Sequence, residues 1–581
     1  VLVIVYGAMH GVFTLTTLNI LQHIPEEKER ASALIFVQVI SKIGMLGGAL
    51  FLLMIGENMN RFVAYKIFIS ICMFLAFIVS IRPNKKILAS ILSFLFVTFS
   101  AHALNVEKII RMPVGNLPRN FDPAKLLFIE EAIVSGQIFE SLYDYDGNNS
   151  LQPILVSKHI ISPDGKRLKI EIQSSKKFSD GQELTAKTVE LSLKRAIITL
   201  GKSISWAVGD LEGFEEFITN PRLNYDKIAI RAISEREIEF ILKRPSPLFL
   251  QMLSMPYFAI TKEVNSKLIG TGAYVLKEFD DLRVILRHRS PVTDSKSPEE
   301  VHFYLETKTN TLEHMVASEV VNFVDISDKK VTIPEGFRLE KYDVLSSVFL
   351  FLNTTNPKFR HREKRCEFLE KFEASFRSVG YEVTDVFSAF PFSWSLQQVA
   401  KESSGRSFSK YFSRKDKISV LWINSGITYF SKHNNAKIKS ILHDQGIYLE
   451  FKETNTKDLG AILKAGKFDA ALVGWIPDIL DPDSLLYPLL GTGQQYNFSN
   501  FSSPVVDSLL RLERSISDTQ SRMLVFQQLF EEISIQCPVK YLGKRPSKFI
   551  LSKHWRAPKL SLLGLYHVRF SQFSFLDGAK P

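Results

Sequence analysis

Residues 153–196, PILVSKHIISPDGKRLKIEIQSSKKFSDGQELTAKTVELSLKRA, constrain the fold more than any other stretch of this 581-residue chain. Ser162-Pro163-Asp164-Gly165 is a turn sequence, because Pro presets φ and Gly is free to take φ > 0. Leu168, Ile170 and Ile172 then alternate with Lys169, Glu171 and Gln173, the period of a strand with one buried face. Phe178-Ser179-Asp180-Gly181 supplies a second turn. Thr185 sits where a helix N-cap belongs, and Val189, Leu191, Leu193 and Ala196 give the following helix an apolar surface. Strand, turn, strand, turn and helix in that order mark a mixed α/β domain.

The first hundred residues have a different character. Residues 1–20, 31–55 and 62–81 are apolar runs long enough to cross a bilayer about 30 Å thick. Pro25-Glu26-Glu27-Lys28-Glu29-Arg30 and Gly56-Glu57-Asn58-Met59-Asn60 separate them. Gly44 and Gly48 form a G-x-x-x-G pair that lets a neighbouring helix approach closely. Lys85 and Lys86 then precede an apolar core, residues 87–99, and Ala101-His102-Ala103 has the small-x-small pattern of a signal-peptidase site. Arg82, Lys85 and Lys86 place that end of the segment in the cytoplasm. Everything after Leu104 is therefore expected to be exported, with cleavage after Ala103.

Bulk numbers exclude more than they assign. A chain of this length needs several domains. The formal charge of +11 comes from Lys and Arg spread along the sequence, without the basic run interleaved with aromatics that nucleic-acid binding requires. Cys366 and Cys537 either pair in an oxidising compartment or remain two free buried thiols; the spacing leaves both open. Gly201-Lys202-Ser203 ends like a phosphate loop, but Ala196 stands where the first glycine is needed. No H-E-x-x-H or G-x-S-x-G occurs, and His361 and Cys366 lack further ligands at zinc spacing. No catalytic constellation, cofactor site or metal site emerges.

Several stretches, taken in order, carry a resemblance. Residues 153–196 resemble the signature segment of the peptide/nickel class of extracytoplasmic solute-binding proteins, the family 5 receptors that feed ABC importers. Phe121-Asp122-Pro123 resembles that family's L-D-P element, and Ile138-Phe139-Glu140-Ser141-Leu142-Tyr143 its I-F-E-G-L helix. Gly270-Thr271-Gly272-Ala273-Tyr274 resembles its G-T-G-P-Y strand entry, and Val348–Thr354 the strand that opens the later lobe. Tyr496–Asn500 is similar to its Asn/Tyr-rich loop. Residues 505–516 and 521–535 read as amphipathic helices, with a return strand starting at Cys537-Pro538-Val539. The family's long helix after the lobe-opening strand survives only in degraded form at 362–376. Residues 1–82 resemble the last three helices of a major facilitator transporter. They are expected to be the tail of an adjacent or fused reading frame, or a genuine membrane anchor.

The resemblance implies an α/β chain with the two-lobed periplasmic-binding-protein type II fold in its three-domain peptide-binding variant. Three transmembrane helices (1–82) and a signal-peptide-like segment (83–103) precede it. Lobe I is expected from 104–143, 235–300 and 540–581, a small extra domain from 144–234, and lobe II from 301–539. Gly474-Trp475-Ile476-Pro477-Asp478-Ile479-Leu480-Asp481-Pro482-Asp483 is similar to the family's W-x-x-D-x-x-D-P-D segment, which gives Asp478 the role of pairing with a peptide's α-ammonium. A carboxylate at a strand end inside a closing cleft makes a charge-assisted hydrogen bond to an ammonium. Trp475 would wall a side-chain pocket, and Trp475, Ile476 and Pro477 would offer a strand edge, with a second edge near residues 125–128. Asp481-Pro482-Asp483 reads as a turn and helix cap. The expected function is capture of short peptides for an ABC permease by a monomer at the extracytoplasmic face of the inner membrane. The alternatives are a nickel chelate, haem or sugar on the same fold, or a membrane-anchored sensor or transporter fusion.

Overall fold

The computed structural model describes residues 108–576, apart from 119, 127–128, 291–295, 308–310, 319, 328–330, 380–408, 414, 424–431 and 545–546. The three expected transmembrane helices and the signal-like segment lie outside the described residues. Among the described residues no helix is long and apolar enough to cross a membrane.

Among the described residues four main sheets organise the fold. The first contains β1 (Ile109–Val114), β6 (Tyr274–Phe279), β7 (Arg283–His288) and β8 (Glu300–Leu305) in the order β1-β8-β7-β6. The second contains β2 (Val156–Ile161), β3 (Arg167–Ile172), β4 (Ile230–Ala232) and β5 (Glu237–Ile241) in the order β2-β3-β5-β4. The third holds β9 (Phe323–Asp325), β10 (Phe337–Tyr342) and β16 (Ser547–Ser552), with β16 in the middle. The fourth holds β11 (Ser347–Leu352), β12 (Ile418–Ile423), β13 (Leu449–Thr454), β14 (Ala470–Trp475) and β15 (Val539–Lys544), ordered β13-β12-β14-β11-β15.

The signature segment folds as its residues dictate. In β3, Leu168, Ile170 and Ile172 are buried while the residues between them are exposed. Thr185 caps helix α2 (Ala186–Leu200) by accepting from the Thr188 N–H at 3.2 Å. One member of the expected apolar face departs: Leu191 is exposed, whereas Val189, Leu193 and Ala196 pack into the core around β3 and β5.

Helix α1 (Ile129–Ile138) stops earlier than the I-F-E-G-L resemblance implies. Phe139 still bonds back to Ser135, but the Ile138 carbonyl accepts from the Gly272 N–H at 2.9 Å. Residues 143–145 then form a short strand paired with 151–153.

Residues 301–342, expected in lobe II, are tied instead to strands from the chain's first and last parts. β8 runs parallel to β1 in register from Ile109 with Glu300 to Val114 with Leu305. β9 and β10 both pair antiparallel with β16. The chain crosses to the five-stranded sheet through residues 343–346 and leaves it after β15. The expected return strand at 539 therefore pairs with β11, and the return itself is made by β16.

The five-stranded sheet is covered on both faces, so every residue of β11 is buried. Phe349, Phe351, Ala471 and Val473 face one apolar cluster, and Val348, Leu350, Leu352, Ala470 and Leu472 face the other. Such near-continuous apolar runs are what a sheet buried on both sides requires. Helices α3 (Arg362–Ser378), α4 (Lys432–Asp444), α5 (Asp483–Leu490), α6 (Pro504–Glu513) and α7 (Thr519–Gln536) belong to this part of the chain. Cys366 on α3 and Cys537 at the end of α7 form a disulfide.

Candidate functional site

The site is built around the loop that follows β14. β14 pairs with β11 along its whole length, from Ala470 opposite Leu352 to Trp475 opposite Ser347. Its other edge pairs with β12 only at Ala470 and Ala471. Along Leu472–Trp475 that edge carries no strand among the described residues. An inner strand with half of one edge unpaired is a place where an extended chain can add.

The loop is fixed from several directions. Ile479 is buried in the apolar core that includes β3 and β5, while Leu480 is buried in the cluster under the five-stranded sheet. The Leu480 N–H donates to the Tyr145 hydroxyl at 3.4 Å, and that hydroxyl donates to Gln251 Oε1 at 2.8 Å. Asp478 stands immediately before these two anchors.

Asp478 faces two phenols from distant segments. Tyr566, in a 3-10 turn at Gly564–His567, donates to Asp478 Oδ1 at 3.2 Å. Tyr257, in a 3-10 turn at Pro256–Phe258, lies near enough for the Asp478 charge to act on its phenol. All three side chains are enclosed by protein yet keep some exposed surface, as residues lining an internal cleft do. No Lys or Arg pairs with Asp478 among the described residues. Burial pushes its carboxyl up to about 7, against the neighbouring phenols, which favour the charged form. Burial likewise raises Tyr257 and Tyr566, with the Asp478 charge adding to it.

Trp475 and Tyr496 complete the surroundings, edge to face with ring centroids 5.0 Å apart. Burial, and then the Asp478 charge, raises the Tyr496 phenol. The Trp475 indole Nε1 is buried without a hydrogen-bond partner among the described residues. Ile476 is half-buried and Pro477 buried. Of the second expected edge, Lys125 closes a 3-10 turn at Pro123–Lys125 rather than entering a strand. Leu127 and Phe128 lie outside the described residues.

Asp481-Pro482-Asp483 is structural, as expected, but not as a simple cap. Asp481 accepts from the Asp483 N–H at 3.0 Å, yet both carboxylates are committed to guanidinium groups. Arg522 holds Asp481 at 2.6 and 2.8 Å and reaches Glu513 at 2.8 Å. Arg514 holds Asp483. All five side chains are buried.

Sequence reasoning missed Tyr257, Tyr566, Tyr496, Arg514 and Arg522. Only Arg522 had a signal: it falls on the apolar stripe Val525, Phe526, Leu529 and Ile533 of α7. A charge on a buried stripe needs a partner. The tyrosines come from unconnected turns, and no local pattern marks them.

Residues 150–365 match the family model for bacterial extracellular solute-binding proteins, family 5, middle region. The dipeptide-binding protein of Lactococcus lactis subsp. cremoris is 22% identical over 437 residues, covering 66% of this chain and 79% of the relative. The Haemophilus influenzae OppA structure in complex with RPPGFSPFR superposes with a TM-score of 0.67 at 14% identity, over 82% of this chain and 100% of that one. The Campylobacter jejuni NikZ structure in complex with Ni(L-His) gives 0.64 at 16% identity, over 81% and 99%. Fold, ordered motifs and these matches agree on what the chain is similar to: the family 5 bacterial extracellular solute-binding proteins, whose model matches residues 150–365.

Proposed function

We propose that this protein captures short peptides at the extracytoplasmic face of the inner membrane and hands them, as a monomer, to an ABC permease. The observation that carries the reading is Asp478: an enclosed carboxylate, without a cationic partner among the described residues, beside the unpaired edge of β14. A buried carboxylate left without a cation is costly, and a ligand ammonium supplies the missing charge through a charge-assisted hydrogen bond. The strand edge at Leu472–Trp475 reads main-chain groups, which every peptide has, so side chains are tolerated rather than selected. Names among the similar proteins point the same way, with a dipeptide-binding relative and a peptide-bound OppA.

Lobe I in this reading comprises the β1-β8-β7-β6 and β9-β16-β10 sheets, the extra domain carries β2–β5, and lobe II carries the five-stranded sheet. The crossing at 343–346 serves as a hinge. Contacts made only when the lobes meet on a ligand shift the equilibrium toward the closed form, which then docks on the permease. The protein holds its solute and does no chemistry on it.

The test is mass spectrometry of whatever the purified protein releases in acid. A heterogeneous set of short peptides with free N-termini is expected. A single non-peptide mass, such as a nickel chelate or haem, would keep the fold and overturn the ligand.

A further inference from the structure

Strands β12, β13 and β14 run parallel, so their first residues lie together at the end of the sheet opposite Trp475. β14 is six residues long, which sets that end roughly 20 Å from the Asp478 loop. A polar cavity of about 390 Å³ opens there. Helix Thr456–Lys464 covers the sheet beside it, with Leu459 and Leu463 in one cluster with Leu421. The chain then turns at Gly466, φ 65°, and returns to the sheet through Lys467. Ser419 stands two residues before Leu421, and Glu450 and Lys452 lie opposite these two in register. One face of the sheet thus changes from apolar to polar where the helix stops.

Lys358, Lys417, Lys452 and Lys467 line the cavity against two carboxylates, Glu450 and Asp469. Asp469 is already satisfied: it accepts from Lys358 Nζ at 2.6 Å, Asn356 Nδ2 at 2.8 Å and the Ser419 N–H at 2.8 Å. Lys417 holds Glu450 at 2.8 Å. Lys452 and Lys467, both exposed, make no hydrogen bond or ion pair among the described residues. Two ammonium groups are left over in one concave site. We infer that this cavity is a second binding site, for a phosphate monoester or free phosphate, with Lys452 and Lys467 as its charged donors. Such a group carries a charge of about −1.5 to −2 at neutral pH and three strong acceptor oxygens. It therefore matches two ammonium groups, where a carboxylate matches one, and lysine binds phosphate as a point charge. Among the described residues Phe468 is the one apolar side chain in the lining, so an apolar ligand finds little to bury against. Neither Asp478 nor the open edge of β14 takes part, and the site stands apart from the peptide reading.

The test has two arms on the full chain: calorimetric titration with inorganic phosphate, and cosedimentation with phosphatidylcholine vesicles with and without phosphatidic acid. The wild type is expected to bind phosphate with a Kd of about 1 mM or tighter. Lys452→Gln and Lys467→Gln are each expected to weaken binding about three- to tenfold, and the double variant about ten- to a hundredfold. Lys464→Gln, on the covering helix but outside the cavity, removes the same charge and should stay within about twofold of wild type. All three side chains are exposed, so the variants keep the fold. Vesicle binding that needs phosphatidic acid and both cavity lysines would identify a lipid headgroup as the source. Lysine-dependent binding of inorganic phosphate alone would identify a soluble one. Equal losses in Lys464→Gln and the cavity variants would mean a general attraction to a basic protein and would overturn the site. So would the absence of binding in both arms.

Discussion

Arg514 grips both oxygens of Asp483, Nε to Oδ1 at 2.8 Å and Nη2 to Oδ2 at 2.6 Å, and spends its remaining nitrogen on the Trp206 carbonyl at 2.6 Å. Its guanidinium also lies over the Tyr487 ring, 3.6 Å from the centroid. One side chain thus ties the start of helix α5, the end of helix α6 and the neighbouring short helix Ser205–Val208 together. Burial raises Asp483, but Arg514 outweighs it and holds the carboxyl below its usual range. Glu513 is pushed far up by burial and by the Asp483 charge, while its Oε2 accepts from Arg522.

Arg514→Ala leaves Asp483 buried and uncompensated. A loss of about 3–5 kcal/mol is expected, the range for breaking a buried pair from one side. Urea unfolding of the ligand-free protein measures it. A loss under about 1 kcal/mol, the scale of a surface pair, would show that the pair is solvated.

Local features of this fold were legible, and long-range ones were not. The alternation of Leu168, Ile170 and Ile172 and the Thr185 cap are set by neighbours in sequence, and both stand as read. Helix α1 ended early because its last carbonyl is claimed by Gly272, far along the chain. The partners of β8 to β10 were not legible, because a strand's pattern gives its buried face but not its partner; theirs are β1 and β16. At the site, the position of Asp478 was legible from a motif, but its partner Tyr566 stands 88 residues away.

Asp478 makes binding depend on pH. Its folded value, about 7, lies above the ordinary 3.8. In the empty protein the group therefore contributes stability that is fully present below about 4 and is lost as pH rises through about 7. Asp478→Asn should be more stable than wild type at pH 8 by on the order of 4 kcal/mol, a difference that vanishes toward pH 4. Ligand affinity runs the other way, since only the charged form attracts an ammonium. It should fall about tenfold per pH unit below 7, and fall again above about 8 as the ligand amine loses its proton. Calorimetry between pH 5 and 9 checks the profile, and a flat one would remove Asp478 from the amine subsite.

The Cys366–Cys537 bridge joins residues 171 apart. Closing so long a loop stabilises by about 2–5 kcal/mol. Arg365 reinforces the joint, donating twice to the Gln536 carbonyl at 3.0 and 2.7 Å. Cys537 itself is left-handed, at φ 53°, a conformation that costs a residue with a Cβ about 1 kcal/mol. With Cys366→Ala as the common background, Cys537→Gly should therefore be more stable than Cys537→Ala by about that amount, both falling below the oxidised wild type. Thermal unfolding ranks the three, and equal glycine and alanine variants would mean that the backbone at 537 carries no strain.

The glycines of Gly270-Thr271-Gly272 act through space that is already filled. A Cβ on Gly270 would lie 2.2 Å from the Ile138 carbonyl oxygen, and one on Gly272 would lie 2.4 Å from that of Gln137. Both obstacles are backbone, which cannot swing aside as a side chain can. The same approach lets the Gly272 N–H reach the Ile138 carbonyl and end helix α1 there. Gly272→Ala must push the end of α1 away from the entry to β6. It should destabilise the protein by about 2–3 kcal/mol, as overpacking of an interior does. The loss should appear in denaturant unfolding. A variant as stable as wild type would show that α1 and β6 can part at little cost, and that the motif's second glycine is not there for close approach.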